Sequence, residues 1–160
     1  MRIYLIGMPG SGKSTIGRML AQHIGYDFID LDDYVAHQAL MFVDEIIEKF
    51  GIDKFRELEN KALSEVIGNN VIIACGGGIV ENSNNKALMQ GIVIYIDVDL
   101  KTLEERLKYD YPRPLLKEYT LEELYKKRFL KYQHFADLIV GNKNDIRKTI
   151  DDIVKNIEVN

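Results

Sequence analysis

Eight consecutive residues near the N-terminus carry the first pattern that could do chemistry. The run Gly7–Ser14 matches G-x-x-x-x-G-K-[ST] at every fixed position. Its glycines would let successive backbone N–H groups turn around a phosphate, and the helix that follows would add its positive dipole end. Lys13 would place a positive charge on the β- and γ-phosphates, and Ser14 would offer its hydroxyl to Mg²⁺. The pattern predicts a site for a nucleoside triphosphate.

Two carboxylates follow the second strand-like segment. Asp30 and Asp32 are separated only by Leu31, so strand alternation would put both on one side, at the carboxyl edge of a sheet. One carboxylate could hold the hydration shell of Mg²⁺, and the other could accept a hydroxyl proton or orient an acceptor. The alternative is that Asp32 or Asp33 only caps the next helix.

Arg56 and the glycines Gly76–Gly78 are candidates for holding a second substrate. Arg56 opens a helix-like segment, and arginine is the residue type suited to bidentate recognition of a carboxylate. A surface ion pair between Arg56 and Glu59 is the alternative interpretation. Three glycines after a buried strand cost backbone entropy, which favours close approach of the backbone to a ligand over a flexible turn.

Arg113 and Arg128 are the other candidate arginines. Arg113 stands between Pro112 and Pro114, and a loop stiffened by prolines suits a lid that brings charge to the γ-phosphate. A plain connector is the alternative. Arg128 and Tyr132 share one face of a helix, a pattern that by itself indicates no function.

The run Gly7–Ser14, a P-loop, also occurs in GTPases and motor ATPases. The run Asn142–Asp145 spells the N-K-x-D of a guanine-reading loop, but the chain contains no D-x-x-G, and a polar loop that caps the last helix is the alternative. A motor ATPase would have a larger chain and an acidic pair after the strand at Val71–Ala74, where Cys75 and three glycines stand instead. A small kinase is left.

The elements that must position these residues alternate between strand and helix. The predicted strands are Arg2–Ile6, Tyr26–Asp30, Val71–Ala74, Ile92–Asp97 and Leu138–Val140. The predicted helices are Lys13–Ile24, Asp33–Phe50 with a break near Met41–Val43, Lys54–Ile67, Asn84–Met89, Leu100–Leu107, Leu121–Phe135 and Asp145–Ile157. This alternation predicts an α/β fold with a parallel sheet and right-handed crossovers.

Length and composition limit the remaining choices. The 160 residues fit a single domain, 1–160, and the net charge of −4 argues against a nucleic-acid partner. Cys75 is the one cysteine, which excludes an internal disulfide and favours a reducing compartment. No apolar run approaches the length of a membrane span. We therefore expect a cytoplasmic protein without a membrane partner, and a monomer.

Taken together, these features resemble the shikimate kinase family over nearly the whole chain and in the right order. The matching features are Gly7–Ser14, Asp30 with Asp32, the F-R-x-x-E of Phe55, Arg56 and Glu59, Gly76–Gly78, the R-P-L-L of Arg113–Leu116, and Arg128 with Tyr132. The resemblance implies a three-layer α/β/α fold with a five-stranded parallel sheet of order 2-3-1-4-5. It implies transfer of the γ-phosphate of ATP to the 3-hydroxyl of shikimate, in aromatic amino-acid biosynthesis.

The resemblance also implies a role for each site residue. The residues implied to bind ATP are Gly10, Ser11, Gly12, Lys13, Ser14, Thr15 and Arg113. Those implied to bind shikimate are Asp32, Arg56, Gly77, Gly78 and Arg128. Those implied to bind Mg²⁺ are Ser14 and Asp30. Lys13, Asp32 and Arg113 are the implied catalytic residues. The implied substrate-binding helical region is about 32–60 and the lid about 108–118. Cys75 departs from many relatives, which have a small hydroxyl residue there.

Overall fold

A computed structural model describes residues 1–109 and 118–157 of the chain. The strands are β1 (Arg2–Ile6), β2 (Asp27–Asp30), β3 (Val71–Ala74), β4 (Ile92–Asp97) and β5 (Leu138–Gly141). The helices are α1 (Lys13–Ile24), α2 (Leu31–Ala39), α3 (Val43–Phe50), α4 (Ile52–Glu65), α5 (Asn85–Leu88), α6 (Leu100–Leu107), α7 (Leu121–Phe135) and α8 (Ile146–Asn156), with a 3₁₀ helix over Ile79–Glu81. Arg113 and most of the predicted lid lie outside the described residues.

The five strands form one parallel sheet in the order β2-β3-β1-β4-β5, as expected. Strand β1 lies at its centre, and its residues Ile3–Ile6 are all 0% exposed. Because successive strand residues point to opposite faces, this burial means that helices cover both faces of the sheet, giving three layers. Helix α1 contacts β1, β2, β3 and α8, whereas α7 contacts β4 and the 3₁₀ helix.

Every predicted strand and helix is present, and the differences from the prediction are confined to the ends of elements. Strand β2 begins at Asp27 instead of Tyr26, and β5 ends at Gly141 instead of Val140. The predicted helix Asp33–Phe50 is broken, as expected near Met41–Val43, where Leu40 adopts a left-handed conformation with φ of 52° at the end of α2. Helix α2 begins at Leu31 instead of Asp33, and α4 spans Ile52–Glu65 instead of Lys54–Ile67. In the part of the chain that the structure describes, no helix is long and apolar enough to cross a bilayer.

Candidate active site

The P-loop (Gly7–Ser14) joins the end of β1 to the start of α1, where the pattern predicted it. Gly12 precedes α1 with φ of 94°, a left-handed conformation that L side chains rarely adopt. The Lys13 ammonium lies across the loop and donates to the carbonyl oxygens of Gly7 at 2.7 Å and Met8 at 2.9 Å. The loop therefore brings a positive charge and the N-terminal end of α1 together, and both favour a bound phosphate.

A hydrogen bond joins Ser14, in the first turn of helix α1, to Asp30 at the end of strand β2. The Ser14 hydroxyl donates to Asp30 Oδ2 at 2.7 Å. Both groups are hard oxygen donors of the kind that Mg²⁺ prefers, and Mg²⁺ usually takes only one or two protein ligands. Residues 1–109 and 118–157 accordingly hold no cluster of three or more acidic, histidine or cysteine ligands.

Asp30, and not Asp32 or Asp33, caps helix α2. Its Oδ1 accepts from the backbone N–H of Asp33 at 3.2 Å, while Asp32 and Asp33 lie in the first helical turn. The expectation that strand alternation puts Asp30 and Asp32 on one side is therefore wrong, because the chain is already helical at Leu31. The helix brings Asp32 to another neighbour: a Cβ on Gly76 would lie 2.8 Å from Asp32 Oδ1.

A cavity of about 160 Å³ lies beside the P-loop, and we call it the acceptor pocket. It contains Asp32, Arg56 and Arg128, three of the side chains that the sequence singled out, together with Gly76–Gly78. Its other lining residues are Pro9, Val43, Asp44, Ile47, Ile52, Phe55, Glu59 and Leu124. Because Pro9 belongs to the P-loop, a molecule in the pocket lies next to the predicted phosphate site.

Arg56 enters this pocket in a partly buried ion pair with Glu59. Its Nη1 lies 3.1 Å from Glu59 Oε1, and the Glu59 side chain is only 1% exposed, so this is not the surface pair considered from the sequence. Burial raises the pKa of Glu59 to about 7, although the positive charge of Arg56 opposes the rise. Within the described residues, no hydrogen-bond donor reaches Glu59 Oε2. Arg56 can therefore bind a ligand while it is paired with Glu59. The Glu59 carboxyl group beside it titrates near neutral pH.

Arg128 reaches the same pocket from α7 and is 2% exposed. One turn further along α7, the Tyr132 hydroxyl donates to the carbonyl of Gly77 at 2.5 Å, and the Tyr132 ring stacks on Tyr95 of β4. Burial raises the pKa of Tyr132, which keeps it a hydrogen-bond donor. The pair Arg128 and Tyr132, uninformative by itself in the sequence, thus ties α7 to the glycine segment.

Glu81 lies next to Arg128 and contacts cations of α7, which the sequence did not predict. It ends the 3₁₀ helix that follows the glycines, and its carboxylate accepts from Lys127 at 2.8 Å and from Lys131 at 3.0 Å. Arg128 Nε lies 3.9 Å from Glu81 Oε1. These cations hold the pKa of Glu81 below its usual value against the effect of burial. No sequence signal could have paired residues about fifty positions apart.

The glycine segment is closely packed against side chains. A Cβ on Gly77 would lie 2.9 Å from Pro9 Cδ, and one on Gly78 would overlap the guanidinium of Arg56. The preceding Cys75 is buried, and burial raises the pKa of its thiol, so Cys75 stays protonated. Small residues are needed here because the pocket arginine and the P-loop occupy the space that side chains would take.

The loop after β5 contacts the P-loop from the other side, a contact that the sequence did not predict. Asn142 donates to the Ser11 carbonyl at 3.0 Å, and Arg106 of α6 donates to the carbonyls of Gly10 at 3.1 Å and Asn142 at 2.6 Å. Asp145 caps α8 by accepting from the N–H of Arg147 at 3.0 Å. This arrangement agrees with the capping alternative for N-K-x-D and uses the aspartate that a guanine-reading loop would need.

Comparison with known proteins identifies the family. The shikimate kinase family model matches residues 9–158. A shikimate kinase of Sulfurihydrogenibium sp. is 35% identical over 98% of this chain and 97% of its own length, and one of Rippkaea orientalis is 42% identical over 94% and 83%. The structure of an Acinetobacter baumannii shikimate kinase in complex with shikimate has a TM-score of 0.91, at 30% identity over 96% of this chain and 90% of that one. The chain therefore belongs to the shikimate kinase family of ATP-dependent kinases.

Proposed function

We propose that this chain transfers the γ-phosphoryl group of ATP to the 3-hydroxyl of shikimate, giving shikimate 3-phosphate and ADP in aromatic amino-acid biosynthesis. The observation that carries the proposal is the meeting of Asp32, Arg56 and Arg128 in one pocket whose wall includes Pro9 of the P-loop. Shikimate is a small acid with several hydroxyl groups. A site for shikimate needs cations to pair with its carboxylate and a carboxylate side chain near its reacting hydroxyl. The acceptor pocket contains both kinds of group.

The acceptor pocket divides its work between two kinds of group. Arg56 and Arg128 would bind the carboxylate of shikimate from two helices, α4 and α7. Asp32 would contact the ring hydroxyls, and either orient the reacting hydroxyl or accept its proton. The backbone of Gly77 and Gly78 would close the pocket. Orientation of this kind supplies much of the rate in phosphoryl transfer, where the protein does little covalent chemistry.

The nucleotide half of the site consists of P-loop groups and one lid residue. Backbone N–H groups of Gly10, Ser11, Gly12, Lys13, Ser14 and Thr15 would surround the phosphates of ATP. The Lys13 ammonium, which lies on loop carbonyls in this structure, would donate to the phosphates, and Arg113 would add a second positive charge. Ser14 and Asp30 would hold Mg²⁺ or its hydration water, and the metal would supply neutralisation of the phosphate charge.

Oligomeric state, cellular location and partners are the remaining parts of the proposal. We propose a monomer that acts in the cytoplasm on small molecules, with no nucleic-acid or membrane partner. The acidic net charge of −4 supports the absence of a nucleic-acid partner, and the single cysteine supports a reducing compartment. Size-exclusion chromatography at several protein concentrations tests the monomer, because an elution volume that changes with concentration would contradict it.

An assay coupled to ADP release tests the function. The purified chain with ATP and Mg²⁺ is given shikimate, gluconate or AMP in separate reactions, with GTP replacing ATP in a further reaction. We expect turnover that depends on shikimate and ATP. Faster release with gluconate or AMP would move the protein to another small-molecule kinase activity, and preference for GTP would revive the guanine-reading alternative.

A further inference from the structure

Asn142 is the most buried member of the N-K-x-D run, and its side chain is held at both ends. It is 7% exposed. Its amide nitrogen donates to the carbonyl of Ser11 at 3.0 Å, across 131 positions of the sequence. The hydroxyl of Thr149 lies 3.1 Å from its amide oxygen. Since only the amide nitrogen can donate, the bond to the Ser11 carbonyl defines which way the amide faces. The single proton of the Thr149 hydroxyl is shared with the Gly141 carbonyl at 2.9 Å, so the Thr149 contact agrees with this orientation but does not set it.

The Asn142 amide occupies the space beside the fixed glycine that precedes Lys13. A Cβ on Gly12 would lie 2.5 Å from Asn142 Nδ2. Gly12 also has a φ of 94°, which favours glycine for a second reason. The glycine of the phosphate-binding pattern is thus matched in shape to a side chain from the other end of the chain.

The bond from Asn142 to Ser11 has a direct consequence for the phosphate-binding face of the loop. The Ser11 carbonyl and the Gly12 N–H belong to one planar trans peptide, in which the two groups point in opposite directions. A carbonyl held toward Asn142 directs the Gly12 N–H to the other side of the loop, as a donor for a phosphate oxygen. We propose that Asn142 is a positioning residue that sets nucleotide affinity by fixing the Ser11–Gly12 peptide of the P-loop.

Helix α6 also holds Asn142 in place, through Arg106. Arg106 Nη2 donates to the Asn142 carbonyl at 2.6 Å, and Nη1 of the same guanidinium donates to Gly10 at 3.1 Å. The Arg106 guanidinium therefore binds both the backbone of Asn142 and the P-loop. This shared contact fixes the position of Asn142 relative to Ser11. This proposal rests on the proposed function, in which the P-loop binds the phosphates of ATP.

The experiment compares two changes at Asn142 with a matched change two residues away. Asn142→Ala removes the amide, and Asn142→Asp keeps its shape but replaces the donor with an acceptor. Asn144→Asp makes the same chemical change at an exposed position of the same loop. KM for ATP, KM for shikimate and the Kd of ADP are measured for each, and thermal melts report folding.

We expect KM for ATP and Kd for ADP to rise about tenfold in Asn142→Ala, because the Ser11 carbonyl loses its 3.0 Å donor and keeps the longer contact with Arg106 Nη1 at 3.4 Å. The rise should be larger in Asn142→Asp, which places a second acceptor against that carbonyl. KM for shikimate should stay within about twofold of the wild-type value, since the lost hydrogen bond joins no residue that we propose to bind shikimate. Thr149→Val should raise KM for ATP in the same direction by a smaller factor. If Asn142→Asp does not fold, Asn142→Ala and Thr149→Val decide the question.

Two results would overturn the proposal: ATP and ADP affinities in the Asn142 variants equal to those of Asn144→Asp, or equal losses for both substrates. Lys13→Ala separates this inference from the proposed function. Loss of turnover in Lys13→Ala with unaltered nucleotide affinity in the Asn142 variants leaves the P-loop function standing and removes the role of Asn142. Full turnover in Lys13→Ala would contradict the proposed function itself.

Discussion

Arg56 Nη1 lies 3.1 Å from Glu59 Oε1 in an ion pair whose acidic partner is buried. The Glu59 side chain is only 1% exposed. Burial raises the pKa of Glu59 from 4.5 to about 7, so removal from water outweighs the attraction of Arg56. The carboxyl group beside the acceptor pocket therefore changes charge near neutral pH.

This titration predicts a pH-dependent stability. Between pH 4.5 and about 7 the unfolded chain has released the Glu59 proton while the folded protein still holds it. Because the folded state then binds more protons, its stability falls as the pH rises through this window. Relative to Glu59→Gln, the free energy of unfolding should fall by up to about 3 kcal/mol. Urea unfolding of both proteins at pH 5 and pH 8 measures this.

Glu57→Gln is the matched control, since the Glu57 side chain is 73% exposed and lies two residues away. Its stability should follow the wild type at every pH. A constant difference between wild type and Glu59→Gln from pH 5 to pH 8 would show that burial does not raise the pKa of Glu59.

Gly78→Ala should impair shikimate binding with little effect on folding. A Cβ on Gly78 would overlap the Arg56 guanidinium, which can move aside because it ends a flexible side chain. Displacing a charged ligand-binding group should raise KM for shikimate about tenfold or more. Gly141→Ala is the control, since its Cβ would meet only the Asp97 carbonyl at 3.8 Å. An unaltered KM for shikimate in Gly78→Ala would remove Arg56 from the binding site.

Glu81→Gln should weaken shikimate binding through Arg128. The variant leaves Lys127 and Lys131 without the carboxylate they share and removes the anion 3.9 Å from Arg128 Nε. We expect KM for shikimate to rise about three- to tenfold while KM for ATP is unaltered.

Glu122→Gln on α7, the helix that carries Arg128, is the control for Glu81→Gln, because the ion pair of Glu122 with Lys126 is exposed to solvent. It should leave both KM values as they are. If Glu81→Gln raised both KM values together, its effect would be on the fold and not on Arg128.

Asp32→Asn should lower kcat by about a hundredfold or more with ATP affinity retained, as removal of a group that orients or deprotonates the acceptor does. Asp33→Asn, the neighbouring exposed residue, is the control and should be near wild type. Normal turnover in Asp32→Asn would exclude both roles.

Asp30→Asn should raise the Mg²⁺ concentration for half-maximal activity about tenfold, in the range seen when groups around a metal are changed. Asparagine caps helices as well as aspartate does, so α2 keeps its cap to Asp33 while the site loses a charge. Asp99→Asn makes the same change at the cap of α6, where Asp99 accepts from the N–H of Thr102. An Mg²⁺ dependence equal to that of Asp99→Asn would remove Asp30 from the metal site.

The fold was largely predictable because its elements have strong local patterns. Strands β1, β3 and β4 and helices α1, α6 and α7 have the predicted bounds. The start of α2 was not predictable, since Asp30, Asp32 and Asp33 are all good caps and local preference does not choose among them. The choice follows from Asp30, whose carboxylate is shared between Ser14 and the N–H of Asp33.

The sequence by itself determined the P-loop, the alternation that gives a parallel sheet, and the residue types that we propose to bind ATP and shikimate. These are properties of short segments, in which spacing and residue type decide conformation. The tertiary structure alone decided that Glu59 is buried, that Glu81 holds the lysines of α7, and that Asn142 reaches Ser11. Such contacts join residues far apart in the chain, and desolvation depends on everything packed around a group, so no local pattern contains them.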